Sequence, residues 1–146
     1  MQGNAYDSYL ETRILSADAL ELVEILYSAA IESIVEARRA LSAGDIATRS
    51  RQIGKAMAIL GELALSADRE KGGEIADNLI ELYDYSMRRL TQANVEQIEP
   101  PLVEVEGLLR TLLDGWKQCR AAAPVHSPAA SCYQETPAYE SVSHLG

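Results

Sequence analysis

Phenylalanine is missing from the chain, tryptophan occurs once, and none of the five prolines falls within residues 20–99. Proline is the strongest helix breaker, so its absence from a long stretch rich in Ala, Leu, Glu and Arg predicts a largely helical protein. Cysteine is also scarce. Cys119 and Cys132 have no Cys/His spacing around them, so neither a disulfide framework nor a zinc module is expected, and free thiols suit a reducing compartment. Basic residues are outnumbered, with 13 Lys and Arg against 22 Asp and Glu and a formal net charge of -9. Such a field repels phosphate backbones and anionic lipid, which argues against nucleic acid as a partner. No run approaches the roughly 20 apolar residues of a membrane span, and the first residues lack the basic and apolar regions of a signal peptide. Stable membrane insertion is not expected, and the expected location is the cytosol.

What remains is a 146-residue chain that is 47% hydrophobic, the balance of a folding globular protein. Asp18-Ala19-Leu20-Glu21 has the form of a helix-capping box, with Ser16 as a competing cap, and Ala43-Gly44 supplies a stop. Asp45 can cap a second helix in which Ile53, Met57, Leu60 and Ala64 repeat at helical spacing. Asp68-Arg69-Glu70-Lys71-Gly72-Gly73 reads as the next turn. A third helix is predicted over about residues 74–97, with a core stripe of Ile75, Leu79, Leu82, Tyr83, Met87 and Leu90. Glu99-Pro100-Pro101 ends it and opens a fourth, whose seam reads Leu102, Val105, Leu109, Leu112, Trp116 and Cys119. Four helices of this length suit an all-α, antiparallel up-and-down four-helix bundle. The expected division is a short mobile N-terminal cap segment over 1–17, the bundle over 18–122 and a disordered tail over 123–146, which is rich in small and polar residues.

Site chemistry finds little support. Di-iron bundles need inward Glu-x-x-His ligands, and phosphotransfer bundles need a helical histidine, yet His126 and His144 both lie in the tail. Cys119 falls on a core seam, where a buried structural thiol is the expectation, and no helical histidine could activate it. Gly72-Gly73 follows no strand and has the wrong order for a phosphate loop. Carboxylates, Glu106 among them, read as solvated faces, and Arg38-Arg39 and Arg88-Arg89 as partners of nearby acids rather than ligand clamps. No enzyme activity, cofactor or metal is expected.

One signal exceeds ordinary packing. The first helix adds Leu22, Ile25 and Leu26 to its stripe of Leu20, Val23, Tyr27, Ala30 and Ile34, and the third adds Ile80 and Tyr85. Surplus apolar surface of this kind suits a groove that accepts another amphipathic helix. Tyr6, Tyr9 and Leu10 are spaced so that a short helical turn could present them together against it.

Several segments together resemble a known family: Asn4-Ala5-Tyr6-Asp7-Ser8-Tyr9, Ile25-Leu26-Tyr27, and the long run from Asp68-Arg69-Glu70-Lys71-Gly72-Gly73-Glu74-Ile75 through Ala76-Asp77-Asn78-Leu79-Ile80-Glu81-Leu82-Tyr83-Asp84-Tyr85. The run continues as Met87-Arg88-Arg89-Leu90 and Gln92-Ala93-Asn94, followed later by Val103-Glu104-Val105-Glu106-Gly107 and Trp116-Lys117. The chain resembles the flagellar secretion chaperone family, FliS, over residues 4–118. The resemblance implies a cytosolic, non-catalytic helical bundle that binds the disordered C-terminal segment of flagellin as helices in apolar grooves. Such a chaperone prevents premature polymerisation and assists delivery to the flagellar type III export gate.

Groove residues implied for this chain are Ile53, Met57, Leu60, Leu79, Leu82, Tyr83, Leu109, Leu112 and Trp116. Tyr6, Tyr9 and Leu10 are implied as an N-terminal cap or gate-docking element, and the client-free state as a monomer or weak homodimer. The chain departs from the family in having Asp18-Ala19 where Ser-Pro is common, Ser28-Ala29-Ala30 after Tyr27, and a longer tail. The competing reading is a non-catalytic helical adaptor or regulator that binds another amphipathic client protein.

Overall fold

The computed structural model describes residues 19–67 and 69–122. The expected cap segment with Tyr6, Tyr9 and Leu10, the Asp18 cap and the tail from 123 onward lie outside the described residues. Among the described residues there are four helices: α1 (Ala19–Ala43), α2 (Ile46–Ser66), α3 (Arg69–Glu96) and α4 (Pro100–Ala122). α1 packs on α2 and α4, and α3 packs on the same two helices from the other side, giving the up-and-down antiparallel bundle anticipated from the periodicity.

Short turns with recognisable chemistry set the helix ends. Gly44 has φ +74°, and the Gly44 and Asp45 amides donate to the Leu41 and Ala40 carbonyls, a Schellman stop that glycine adopts without a Cβ penalty. Asp45 then caps α2, its carboxylate accepting from the Thr48 amide at 3.1 Å. At the end of α3 a similar device recurs with a non-glycine residue: Gln97 has φ 58°, and the Ile98 amide donates to the Ala93 carbonyl. The Glu99 carbonyl accepts from the amides of Leu102 and Val103, so the two prolines sit where no intrahelical donor is needed.

The second turn differs from expectation. Residues from Arg69 onward are already coiled, and the break is confined to Gly73, at φ 54° and ψ -126°, a conformation open in practice to glycine alone. The predicted start near residue 74 therefore marks the kink rather than the first helical residue.

One continuous core runs through the bundle. α1 contributes Tyr27, Ala30, Ile31, Ile34 and Ala37, and α2 contributes Ile53, Ala56, Leu60 and Leu63. From α3 come Leu79, Tyr83, Leu90 and Ala93, and from α4 Leu102, Val105, Leu109 and Leu113. α1 and α2 pack most closely, because Ala30, Ala37 and Ala56 let their backbones approach. The α4 seam departs from the predicted one. Leu113, not Leu112, continues it into the core, while Leu112 and Trp116 pack at its margin. The reason is the spacing: Val105, Leu109 and Leu113 follow one ridge of four-residue steps instead of alternating three and four.

Polar groups tie the helix ends together. Arg49, only 5% exposed, donates through Nε to the Asn94 Oδ1 at 3.0 Å and through Nη2 to the Asn94 carbonyl, and Ser50 donates to the same Oδ1. This network clamps the start of α2 to the end of α3. Arg38 reaches from α1 to Glu99 and Glu106, and Glu106 also holds Arg110. Glu106 is therefore not the solvated carboxylate expected of it: its side chain is 12% exposed and bridges two guanidinium groups. Cys119 likewise corrects the expectation of a free, buried thiol. It is half-buried near the end of α4, beyond the tightly packed part of the seam, and is disulfide-bonded.

A candidate apolar binding surface

The surplus apolar residues of α1 gather at one end of the bundle. Leu22, Val23 and Leu26 project from the first turns of α1 toward Leu63, Ser66 and Ala67 at the end of α2, with Tyr83 of α3 and Trp116 of α4 closing the sides. Together they line a pocket of about 250 Å³ whose surface is mainly apolar. That volume is below the roughly 300–1,000 Å³ of small-molecule sites, so the pocket suits a few side chains of a docked segment better than a cofactor.

Glu62 and Ala67 line this pocket and also a groove between α2 and α3, which continues along Ala58, Gly61, Ala64, Leu65 and Ile80. Leu65 is 82% exposed. A large aliphatic side chain left in water forfeits about 1.5–3 kcal/mol of burial energy, so a row of small residues beside it is a surface ready to be covered. Gly61 has open space where a Cβ would stand, so a helix laid in the groove could approach the α2 backbone closely.

Beneath the pocket lies a polar contact within the core. The Tyr27 and Tyr83 hydroxyls are 2.6 Å apart, and their rings meet edge to face at 6.3 Å. Tyr83 thus faces both the pocket and the core, held by its hydroxyl from below. Glu24 receives two hydrogen bonds from Arg120 and fastens the end of α4 to the start of α1 beside the pocket.

Away from the pocket, polar contacts bridge α3 and α4. Glu104 of α4 accepts from Tyr85 and Arg89 of α3, and the Tyr85 hydroxyl is the first cause holding its carboxyl below the ordinary range, with the Arg89 guanidinium the second. No group of His, Cys, Asp and Glu suited to a metal ion occurs among the described residues. No helix among them is long and apolar enough to cross a membrane.

The residues singled out from the sequence separate into two sets. Ile53, Leu60, Leu79, Tyr83 and Leu109 are buried in the core, although Tyr83 also reaches the pocket. Met57, Leu112 and Trp116 are partly buried against that core, and Trp116 lines the pocket. Leu82 is half-buried in a polar depression with Asn78, Glu81 and Arg88. Leu63, Leu65 and Ala67 were not anticipated. The signal for Leu65 was present, since it falls off the stripe of Ile53, Met57, Leu60 and Ala64 and so places a leucine on the wet face of α2.

Comparison with known proteins agrees with this architecture. The family model described as flagellar protein FliS matches residues 2–123. The chain is similar to the flagellar secretion chaperone FliS of Salmonella typhimurium, at 41% identity over 87% of this chain and 89% of that protein. It is 36% identical to flagellar secretion chaperone FliSB of Pseudomonas aeruginosa over 73% of this chain and 85% of the relative. With FliS of Bacillus subtilis the identity is 32%, over 79% and 85% of the two chains. Matched over most of its own length and most of theirs, this chain belongs to the flagellar protein FliS family.

Proposed function

We propose that this protein is a flagellar secretion chaperone that binds the disordered C-terminal segment of flagellin. The observation that carries the proposal is the apolar pocket at Leu22, Val23, Leu26 and Trp116, continuous with the α2–α3 groove at Leu65. The names of the relatives, secretion chaperones of the flagellum, supply the class of client.

In this reading the client segment folds as amphipathic helices on the chaperone, and its apolar side chains enter the pocket and cover Leu65. Covering those client residues prevents premature polymerisation and keeps the subunit competent for the flagellar type III export gate. Trp116, Met57, Leu82 and Leu112 act from partly exposed positions, whereas Ile53, Leu60, Leu79 and Leu109 support the surface from beneath. Tyr6, Tyr9 and Leu10 form an N-terminal cap or a gate-docking element. The chaperone works in the cytosol, without catalysis or cofactor, as a monomer or weak homodimer before the client binds.

A contact of standard size, about 1,600 Å², supports nanomolar to micromolar binding after roughly 2–5 kcal/mol is spent on ordering the client. Titration calorimetry with flagellin and with flagellin lacking its C-terminal segment tests the proposal. Binding is expected only with the intact protein, and equal affinity for both would sink it.

A further inference from the structure

The pocket and the groove share one charged wall. Glu62 is the single charged side chain among the described residues that line either depression, and it lines both. The pocket lies between α1 and α2 and the groove between α2 and α3, so Glu62 stands on the ridge of α2 that separates them. A segment that fills both must cross α2 at this residue. Little holds such a segment off the helix: Gly61 has open space at its Cβ position, and Ala58 lies one turn before Glu62.

The charge on this ridge is unanswered. Glu24, Glu36, Glu99, Glu104 and Glu106 each pair with an arginine. Glu62 is exposed and makes no hydrogen bond or ion pair among the described residues. The nearest cation of the same helix, Lys55, is seven residues earlier, about 10 Å along the axis and beyond ion-pair reach. The last turn of α2, which directly follows Glu62, contains no basic residue, so the negative end of the helix dipole adds to the carboxylate instead of being offset. A local negative charge is thereby set in the middle of an otherwise apolar surface.

We propose that Glu62 is a specificity-determining residue of this surface, pairing with a lysine or arginine of the docked flagellin segment where that segment crosses α2 from pocket to groove. The assignment rests on the client-binding reading above and adds to it a sequence requirement on the client: two apolar clusters with a cation between them. A neutral segment laid across the ridge strips water from the carboxylate without replacing it, and an acidic one is repelled. A lysine or arginine satisfies the charge, and its aliphatic stem lies along apolar surface of the kind Leu65 supplies.

Titration of the full-length protein with flagellin, at low and high salt, tests the pairing. Glu62→Gln should weaken binding about fivefold in about 50 mM salt and less than about twofold in about 500 mM, because screening removes most of what an exposed pair contributes. Glu96→Gln removes an equally exposed carboxylate that lines neither depression, and should leave the affinity unchanged. Each Lys and Arg of the flagellin C-terminal segment is then replaced by Gln. One replacement should cost affinity with the native chaperone and nothing further with Glu62→Gln, the signature of a coupled pair. Circular dichroism should be the same for all chaperone variants, since both positions lie outside the core.

A second probe needs no flagellin. Trp116 is the sole tryptophan and lines the pocket, so its fluorescence reports occupancy. Two amphipathic peptides of about 18 residues, about five helical turns, share an apolar Leu and Ala face and differ only in a central lysine or glutamine beside it. The lysine peptide should act at lower concentration on the native protein, and the two should act alike on Glu62→Gln.

Equal affinity of native and Glu62→Gln protein for flagellin at both salt concentrations overturns the proposal and leaves the chaperone reading standing. Equal losses in Glu62→Gln and Glu96→Gln also overturn it, by showing that net charge alone is felt. If native protein fails to bind flagellin yet prefers the lysine peptide, the chaperone reading falls and a cation-selecting surface remains, with its occupant not flagellin. Failure of both peptides to reach Trp116, or equal action of both on the native protein, overturns the role of Glu62.

Discussion

The hydroxyls of Tyr27 and Tyr83 meet at 2.6 Å between α1 and α3, with the two residues 0% and 2% exposed. These helices are diagonal partners in the bundle, so the contact spans its centre directly below the apolar pocket. A hydrogen bond between buried neutral groups contributes about 1 kcal/mol net. Tyr27→Phe, Tyr83→Phe and the double variant should therefore form a cycle with a coupling of about 1 kcal/mol in urea unfolding. Strict additivity of the two single changes would show that the hydroxyls do not interact in solution.

The Arg49–Asn94 contact makes a sharper prediction, because a guanidinium is buried there. Asn94→Ala removes the side-chain acceptor and leaves the charge poorly satisfied, which should cost about 2–3 kcal/mol. Arg49→Met removes the charge along with its need for a partner and should cost less. Thermal unfolding of the two variants checks the order, and a larger loss in Arg49→Met would reverse the account.

Ser86 offers the opposite test. It is 0% exposed, and its hydroxyl has no hydrogen-bond partner among the described residues. Ser86→Ala removes that buried group in a helix, where alanine is also preferred, and should raise stability by about 1 kcal/mol. A lower urea midpoint would mean that the hydroxyl is satisfied in solution.

Acid should weaken the junction of α1 and α4. At Glu106, burial raises the carboxyl pKa, but hydrogen bonds from Arg38 and Arg110 outweigh it and hold the value below the ordinary 4.5. A carboxyl depressed in the folded state stabilises fully above its unfolded value, and that contribution is lost as pH falls through the lower folded value. Stability measured from about pH 7 to about pH 3 should therefore fall less steeply for Glu106→Gln than for the native chain. Superimposable acid limbs would show that Glu106 contributes nothing to the pH dependence.

Client binding should separate pocket from core. Trp116→Ala removes a pocket wall at a partly exposed position and should weaken binding by about tenfold or more, with the helical signal retained. Leu60→Ala opens a cavity at a fully buried site and should cost about 2–5 kcal/mol of stability. If Trp116→Ala bound flagellin normally, the pocket would not be a docking site.

Much of this molecule was legible because helices announce themselves locally. The Gly44 stop, the Asp45 cap and the paired prolines act within a few residues, so their consequences are visible without a partner helix. The seam of α4 was harder. Leu112 and Leu113 are adjacent and equally apolar, and only the position of the neighbouring helices decides which enters the core. Glu106 was misjudged for the same reason, since Arg38 is remote in sequence and reaches it only after α1 and α4 dock.

An all-α bundle, an acidic surface, the confinement of both histidines to the segment after residue 123 and the family of the chain all follow from residue order. Helix periodicity and turn chemistry carry that information over short distances, and no tertiary contact is needed to read it. Packing was required to sort the apolar residues into those that close the core and those that line a usable surface. Leu60 and Leu65 are both leucines of α2, yet one is 0% and the other 82% exposed. Burial depends on what stands opposite, and for Leu65 the α2–α3 groove leaves that side open.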